Sequence, residues 1–377
     1  MVKLTPPMGW NSWNTYGADI SDELIRKAAD ILVETGLKDV GYEYVVIDDC
    51  WSLKERDKDS RLVPDPKKFP EGMKALSDYV HSKGLKFGMY SCAGNLTCAG
   101  YPGSFEHEFL DAETFASWGV DFLKYDYCYH SKIIPGEILY RRMGLALENC
   151  GRDILFSACS WGADETHKWI KQSGASMWRS TGDIFDNWGS IRDLTLKQDE
   201  LLEYNGTGCF NDMDMLVVGM NGKGNVGLGG CNDIQYRTHF AIWAFMGSPL
   251  MIGCDISTLS EELLEVLKQP DLIAINQDSI CRQPYKLPNI FKREKALVYA
   301  KNLTNGDIAI GAFNLDKDEV EVRFNLDTLG LPMSTGKTLE MREIWTKKSL
   351  TVENASFEWK LAPYDNAVFI CQIKAAN

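Results

Sequence analysis

Histidine is scarce in this chain: His81, His107, His130, His167 and His239 are the only 5 among 377 residues, and no two stand at metal-ligand spacing. A zinc site is disfavoured on that ground. Basic charge is also short, with 40 Lys and Arg against 53 Asp and Glu and a formal net charge of -13. No basic arm appears, and nucleic-acid binding leans on a basic surface, so a nucleic-acid partner is excluded. No segment approaches about 18 continuous apolar residues, so no membrane span is expected. The start, Met-Val-Lys-Leu-Thr-Pro-Pro, lacks the apolar run of a signal peptide. The expectation is a cytoplasmic protein, or a secreted or periplasmic one whose leader is not part of this sequence.

Cysteine is plentiful but unpatterned. The 11 residues are an odd number without metal-site spacing, so they cannot all pair. Cys50, Cys92, Cys159, Cys254 and Cys371 read as buried thiols, whereas Cys209 and Cys231 have a Gly-rich loop between them that would permit pairing. The remaining composition, 45% hydrophobic and 25% charged, is that of an ordinary globular chain large enough for a barrel-sized domain and a smaller one.

One stretch organises the rest. Val120–Cys128 reads Val-Asp-Phe-Leu-Lys-Tyr-Asp-Tyr-Cys, a short apolar strand that delivers Lys124 and Asp126 to one face, because side chains alternate with period two. Asp126 could cap the following helix. The same design recurs, however. Strand-like segments at Pro6–Asn14, Tyr44–Ile47, Lys86–Ser91, Ile154–Phe156, Ser176–Trp178, Thr207–Phe210 and Pro249–Ile252 each end in polar or aromatic residues. Helical periodicity lies between them: Ser21 opens one helix that Gly36 closes, Met73, Leu76 and Val80 share a second face, and Ala112–Trp118 is a third, stopped by Gly119. Eight strand–helix units imply parallel strands with right-handed crossovers and a (β/α)8 barrel whose site lies at the C-terminal face. An open doubly wound sheet is the alternative, but no Gly-rich phosphate loop follows a strand.

After Tyr285 the texture becomes short alternating runs separated by turns, from Ala296–Lys301 to Ala367–Gln372. The division expected is residues 1–285 as the barrel and 286–377 as an antiparallel β-sandwich without clustered chemistry.

The strand ends collect Asp48, Asp49, Asp126, Asp183 and Asp214, with Lys124 and Arg179 among them and Trp10, Trp13, Trp51, Trp161 and Trp188 around. Carboxylates among indoles suit a carbohydrate, whose ring faces stack while its hydroxyls need charged partners. Two carboxyl groups supply the acid and the nucleophile or base of glycoside hydrolysis. Lys124 beside Asp126 would keep that carboxylate ionised. No cofactor is called for, and the partner is a small carbohydrate or glycoconjugate. Singly, each residue has an ordinary explanation: Asp48 and Asp49 as helix caps, Arg179 as a structural ion pair, the tryptophans as core. Asp212-Met-Asp214 also imitates the Asp-x-Asp metal motif of a glycosyltransferase, and a binding module without catalysis is a further possibility. The sequons at Asn95, Asn205, Asn302 and Asn354 carry little weight.

Longer phrases resolve this. Pro-Pro-Met-Gly-Trp10, Ile47-Asp-Asp-Cys-Trp51, Tyr79-Val-His-Ser-Lys-Gly-Leu85, Leu123-Lys-Tyr-Asp-Tyr-Cys128, Trp178-Arg179 and Asn211-Asp-Met-Asp-Met215 make the chain resemble, over essentially its whole length, the glycoside hydrolase family of α-galactosidases and α-N-acetylgalactosaminidases. The resemblance implies that Asp126 is the nucleophile of a covalent glycosyl intermediate, Asp183 the general acid/base, and the anomeric configuration retained. It implies that Asp48 and Asp49 hold the 4- and 6-hydroxyls, with Lys124 at the 3- and 4-hydroxyls and Arg179 at the 2-substituent. Trp13 and Trp51 would wall the sugar, Tyr90 and Cys98 line the pocket, and Asp214 and Met215 support it. A Cys98–Cys128 disulfide is implied as well. Bridges that animal members make from the positions of Cys50 and Cys159 should be absent, because their partners are replaced near Ala18 and Ala175.

The 2-position loop departs from the family's Cys-Glu-Trp. Here it reads Cys159-Ser160-Trp161-Gly162-Ala163, and members acting on N-acetylgalactosamine have Ser and Ala at the places of Ser160 and Ala163. Losing a charged hydrogen-bond partner costs about 1.5–3 kcal/mol, enough to alter sugar preference. An α-N-acetylgalactosaminidase is therefore the alternative to an α-galactosidase. A β-L-arabinopyranosidase fits less well, since Asp48-Asp49 favours a sugar with a 6-hydroxyl.

Overall fold

The computed structural model describes residues 5–289, 295–352 and 355–375. The sequon at Asn354 lies outside the described residues.

Eight parallel strands follow the chain: β1 Met8–Asn11, β2 Tyr44–Val46, β3 Lys86–Cys92, β4 Phe122–Asp126, β5 Leu155–Cys159, β6 Met177–Arg179, β7 Phe210–Asp212 and β8 Leu250–Ile252. They pair in sequence order, and β1 also pairs with β8. The segment after β7 completes the ring: Leu216 bridges Ile252, with Leu216 N–H donating to the Met251 carbonyl at 2.7 Å. The barrel is closed, which removes the open-sheet alternative.

Strand alternation decides what faces inward. Tyr44, Val46, Phe122, Leu155, Met177, Phe210 and Met251 form an apolar plug inside the barrel. Their neighbours Val45, Leu123, Tyr125, Phe156 and Trp178 pack outward under the helices. Each such buried side chain contributes about 1.5–3 kcal/mol. Gly88 is needed in the plug, because a Cβ there would stand 2.7 Å from Val46 Cγ2. Continuing each inward row by two or four residues reaches Asp48, Tyr90, Lys124, Asp126, Cys159 and Arg179, so the row that begins as plug ends as site.

The helix Asp22–Glu34 is capped by the Ser21 hydroxyl, which accepts from Leu24 N–H, and buries Ile25, Ala28, Ala29 and Leu32. The helix Glu108–Trp118 starts a turn earlier than its apolar pattern suggests. Its first turn is charged yet buried, because Glu108 pairs with Arg142 and Asp111 with Arg56. The helix after β4 starts only at Gly136 with Pro135 at its cap, so Asp126 caps nothing. Asp48 and Asp49 likewise stand far from the helix Gly72–Ser82.

The C-terminal part is antiparallel: β9 Tyr285–Lys286, β10 Ala296–Asn302, β11 Ile308–Asn314, β12 Val320–Asn325, β13 Lys337–Glu343, β14 Ser349–Val352, β15 Ser356–Leu361 and β16 Asn366–Ala375. One sheet runs β14-β13-β16-β11-β10-β9, and β12 pairs with β15 across a separate apolar core. The two-residue β9 was too short to be read from sequence. Phe313 packs on Phe245 of the helix Asp233–Met246, Arg342 pairs with Asp271, and Arg237 with Asp365, tying the sandwich to the barrel. Cys98 and Cys128 form a disulfide, whereas Cys50, Cys159, Cys209 and Cys231 are free thiols. The pairing that the Gly-rich loop would have allowed between Cys209 and Cys231 is not made.

Candidate active site

The strand ends surround a cavity of about 210 Å³. Its floor is set by β4, which points Lys124 and Asp126 upward from Phe122 in register with Tyr90 and Cys92 of β3. Asp126 is 6% exposed; its Oδ2 accepts from Tyr90 Oη at 2.9 Å and its Oδ1 from Tyr127 N–H at 2.9 Å. Burial pushes its pKa up to about 6, although Lys124 and these two donors pull the other way. Lys124 acts in the expected direction, and a carboxyl at about 6 is still mostly ionised at neutral pH, but burial is the larger influence. The Lys124 ammonium is spent on Asp48 Oδ2 at 2.8 Å, and desolvation of Asp126 outweighs what remains.

Asp48 Oδ2 also accepts from Asn11 Nδ2 at 2.8 Å. Asp49 accepts from Cys50 N–H at 2.7 Å and Ala99 N–H at 2.9 Å, and burial raises its pKa. Cys98, Cys128 and the Asp126 carboxyl cluster with their sulfurs and oxygen within 4.8 Å of one another. The disulfide consumes both sulfurs, so this cluster is a wall and not a metal site.

On the opposite side Arg179, at the end of β6, is nearly fully buried. Its Nη2 lies 2.9 Å from Asp183 Oδ1 and 2.9 Å from Asp214 Oδ2. The Asp183 side chain is 60% exposed at the mouth. Burial alone would raise the Asp183 pKa, but the guanidinium holds it below the usual carboxylate range. Asp214 sits at a left-handed φ of 83°, accepts from Ile184 N–H and Met215 N–H at 2.7 Å each, and is raised by burial. Asp212 Oδ1 accepts from Asp214 N–H at 2.9 Å. Both acids of Asp212-Met-Asp214 are therefore engaged by backbone donors, and Asp214 by a cation as well. That is an unsuitable arrangement for the metal of a glycosyltransferase.

Trp13, Asp49, Cys98 and Met215 line the cavity together with the residues already placed. Three expected residues do not. Trp51 stands behind the wall: its Nε1–H donates to the Tyr90 carbonyl at 2.9 Å, and its ring meets Phe115 and Trp118 edge-on. Ser160 is fully buried and hydrogen-bonds Thr166 Oγ1, while Ala163 opens a 3-10 turn outside the cavity. The cause is the backbone: Trp161 has φ 56° and Gly162 φ 80°, where a Cβ would stand 2.4 Å from the Ser180 carbonyl oxygen, so the turn rotates Ser160 away and Trp161 inward. Asp164 is likewise held outside, accepting from Tyr127 Oη at 2.6 Å.

Sequence reasoning missed Asn14, Val226 and Cys159 as lining residues, the last having been read only as a buried thiol. Asn14 is the last residue of the first strand-like segment, Pro6–Asn14, whose end was read as polar and aromatic without a role for this side chain. Val226 gave no signal, since it lies in a Gly-rich loop far from any strand end. Five carboxylates against two cations line this cavity, which rules out an anionic ligand and suits a polyhydroxylated one.

A closed parallel barrel whose C-terminal face gathers paired carboxylates, a lysine, an arginine and tryptophans defines a glycoside hydrolase. A family profile described as Alpha galactosidase A matches residues 5–278, and one described as Alpha galactosidase C-terminal beta sandwich domain matches residues 294–370. The chain belongs to the α-galactosidase family. It is 44% identical over 342 residues to an α-galactosidase of Cyamopsis tetragonoloba, covering 90% of this chain and 80% of that one. Among solved structures, α-galactosidase I of Mortierella vinacea superposes with a TM-score of 0.91 at 33% identity, covering 100% of this chain and 98% of the other. The Saccharomyces cerevisiae α-galactosidase solved with raffinose does so at 0.88 and 28%, covering 98% of each.

Proposed function

We infer that this protein is a retaining exo-α-galactosidase that releases terminal α-D-galactosyl residues by double displacement, with Asp126 as nucleophile and Asp183 as acid/base. The observation that carries the reading is Asp126. It is buried at the end of β4, held by Tyr90 Oη and Tyr127 N–H, and lines the cavity. Asp183, exposed at the mouth, is where a leaving-group oxygen would need a proton. In the first step Asp126 attacks the anomeric carbon as Asp183 protonates the departing oxygen. In the second, Asp183 takes a proton from water as water displaces Asp126. Asp48 and Asp49 accept from the 4- and 6-hydroxyls, Lys124 donates at the 3- and 4-hydroxyls, and Arg179 at the 2-hydroxyl. Trp13 and Trp161 wall the ring, with Trp161 in the role first given to Trp51.

The α-N-acetylgalactosaminidase alternative rested on Ser160 and Ala163, and neither reaches the cavity. Galactose is the sugar supported. No helix among the described residues is long and apolar enough to cross a membrane. The Cys98–Cys128 disulfide favours an exported protein over a cytoplasmic one, because cytosolic thiols are kept reduced. The test compares kcat/KM on aryl α-galactoside and aryl α-N-acetylgalactosaminide, with Asp126→Asn as the blank. The plain galactoside should be strongly preferred; turnover surviving in the blank would refute the reading.

A further inference from the structure

Glycoside cleavage fixes where the departing group must lie: its oxygen takes the proton of Asp183, so the rest of it rests on whatever surrounds Asp183 at the mouth. Two large apolar side chains are exposed on the two segments that meet there. Phe185, two residues beyond Asp183, is 45% exposed, and Leu228 is 59% exposed. Their segments are joined by a parallel bridge between Asp186 and Gly227, with Asp186 N–H donating to the Val226 carbonyl at 3.0 Å. Phe185 and Leu228 flank the two bridged residues, and both are exposed where Asp186 is buried, so they lie on the face away from Asp186. Val226 belongs to that face too, and it lines the cavity. An apolar strip thus runs outward from the cavity wall past the acid/base.

The strip is rigid. Asp186 is fully buried; its Oδ2 accepts from Gly222 N–H at 2.7 Å and its carboxylate from Tyr236 Oη at 2.9 Å. Tyr236 Oη in turn accepts from Asn221 N–H at 2.7 Å. On its other side the Gly-rich loop is fastened to the first strand–helix connection, Val226 N–H donating to the Asn14 carbonyl at 3.0 Å and Asn225 N–H to Thr15 at 3.1 Å. The loop folds so tightly on itself that a Cβ at Gly227 would stand 2.4 Å from the Gly222 carbonyl oxygen and one at Gly224 2.7 Å from Thr15 Cα. Exposed apolar groups on a loop this firmly anchored are pre-organised, and a ligand covering them need not order them first.

We propose that Phe185 and Leu228 form the leaving-group subsite of this enzyme and bind a second sugar ring by its apolar C–H face. The proposal rests on the hydrolase reading above and on Asp183 as its acid/base. An aromatic ring with a branched aliphatic beside it is suited to the face of a pyranose. The strip itself carries no charged side chain that would select a phosphate or carboxylate.

The test is the ratio of kcat/KM for an α-galactosyl disaccharide to that for α-galactosyl fluoride, whose leaving group has no ring to stack. Both substrates share the galactosyl half, so the ratio isolates the departing group. Phe185→Ala should lower the ratio about tenfold, mainly through KM of the disaccharide, and Leu228→Ser should lower it less. The conservative Phe185→Tyr should keep the ratio near that of the unaltered protein. An unchanged ratio in Phe185→Ala and Leu228→Ser would overturn the subsite. So would a loss confined to aryl galactosides, which would assign the strip to an aryl aglycone. If the unaltered protein cleaves neither substrate, the hydrolase reading itself fails and the subsite falls with it; cleavage of the fluoride alone overturns the subsite and leaves that reading standing.

Discussion

Arg179 Nη2 stands 2.9 Å from Asp183 Oδ1, and the same nitrogen stands 2.9 Å from Asp214 Oδ2. One guanidinium therefore sets the charge of Asp183, the proposed acid/base, before any sugar arrives. Double displacement needs one proton on the catalytic pair, located on Asp183. In the unliganded protein the order of affinities is reversed: burial pushes Asp126 up to about 6, while Arg179 holds Asp183 low. The active form is then a minor arrangement of the singly protonated pair.

The sign of the pH dependence follows. The singly protonated pair exists only below the upper of the two pKa values, and that is about 6, belonging mainly to Asp126. As pH rises through that value both carboxyls ionise, and no acid remains. A plot of log kcat/KM against pH should fall above about pH 6 with a slope near -1, giving an acidic optimum. A plateau extending to pH 8 would show that Asp183 keeps its proton despite Arg179.

Removing the acid should invert that slope. Asp183→Asn leaves only Asp126 to titrate, and an ionised Asp126 is what an activated leaving group requires. On an aryl galactoside with a strongly acidic phenol, kcat/KM of this variant should rise with pH. Its loss should be about 10²–10⁴-fold greater on a natural disaccharide. Equal losses on both substrates would remove Asp183 from the acid/base role.

Tyr90→Phe deletes one of two donors to the Asp126 carboxylate. Losing a hydrogen bond to a charged group costs about 1.5–3 kcal/mol, so the ionised form becomes harder to make and the alkaline limb moves to higher pH. The kcat on an activated substrate should drop by about tenfold or more. A pH profile identical to that of the unaltered protein would mean that Tyr90 is only packing.

Ser160→Ala should leave the preference for galactose over N-acetylgalactosamine where it was, because Ser160 faces Thr166. Trp161→Ala should weaken galactose as an inhibitor, since the indole lines the cavity. A switch of sugar preference in Ser160→Ala would restore the discarded reading of this loop.

The disulfide closes 30 residues of chain beside Asp126. Constraining a loop of that length stabilises by about 3–4 kcal/mol in the chain-entropy account. The double variant Cys98→Ala, Cys128→Ala should therefore melt several degrees lower and lose activity as the wall near Asp126 loosens. A variant unchanged in both Tm and kcat/KM would make the bridge dispensable.

What the sequence made legible was whatever depends on periodicity along a strand. The inward row Phe122–Lys124–Asp126 needs only alternation, and Asp48 and Arg179 end their rows in the same way. Trp51 deceived because an indole beside two site carboxylates can turn either way, and the turn was settled by Tyr90's carbonyl and the rings of Phe115 and Trp118. Ser160 deceived because its direction depends on a left-handed residue at Trp161, a conformation that non-glycine residues rarely adopt. The shifted pKa of Asp126 was equally hidden. Its cation was visible two residues away, but that Asp48 takes the ammonium emerges only when β2 and β4 stand in one barrel.

The central claim is that Asp126 forms the glycosyl–enzyme bond. The direct measurement is peptide mass analysis after a brief incubation with an activated, ring-fluorinated α-galactosyl donor, whose intermediate is slow to hydrolyse. The account predicts a glycosyl adduct on the peptide containing Asp126, none in Asp126→Asn, and α-galactose as the first product of the ordinary reaction. An adduct on another carboxylate, or β-galactose formed first with no adduct at all, would contradict it.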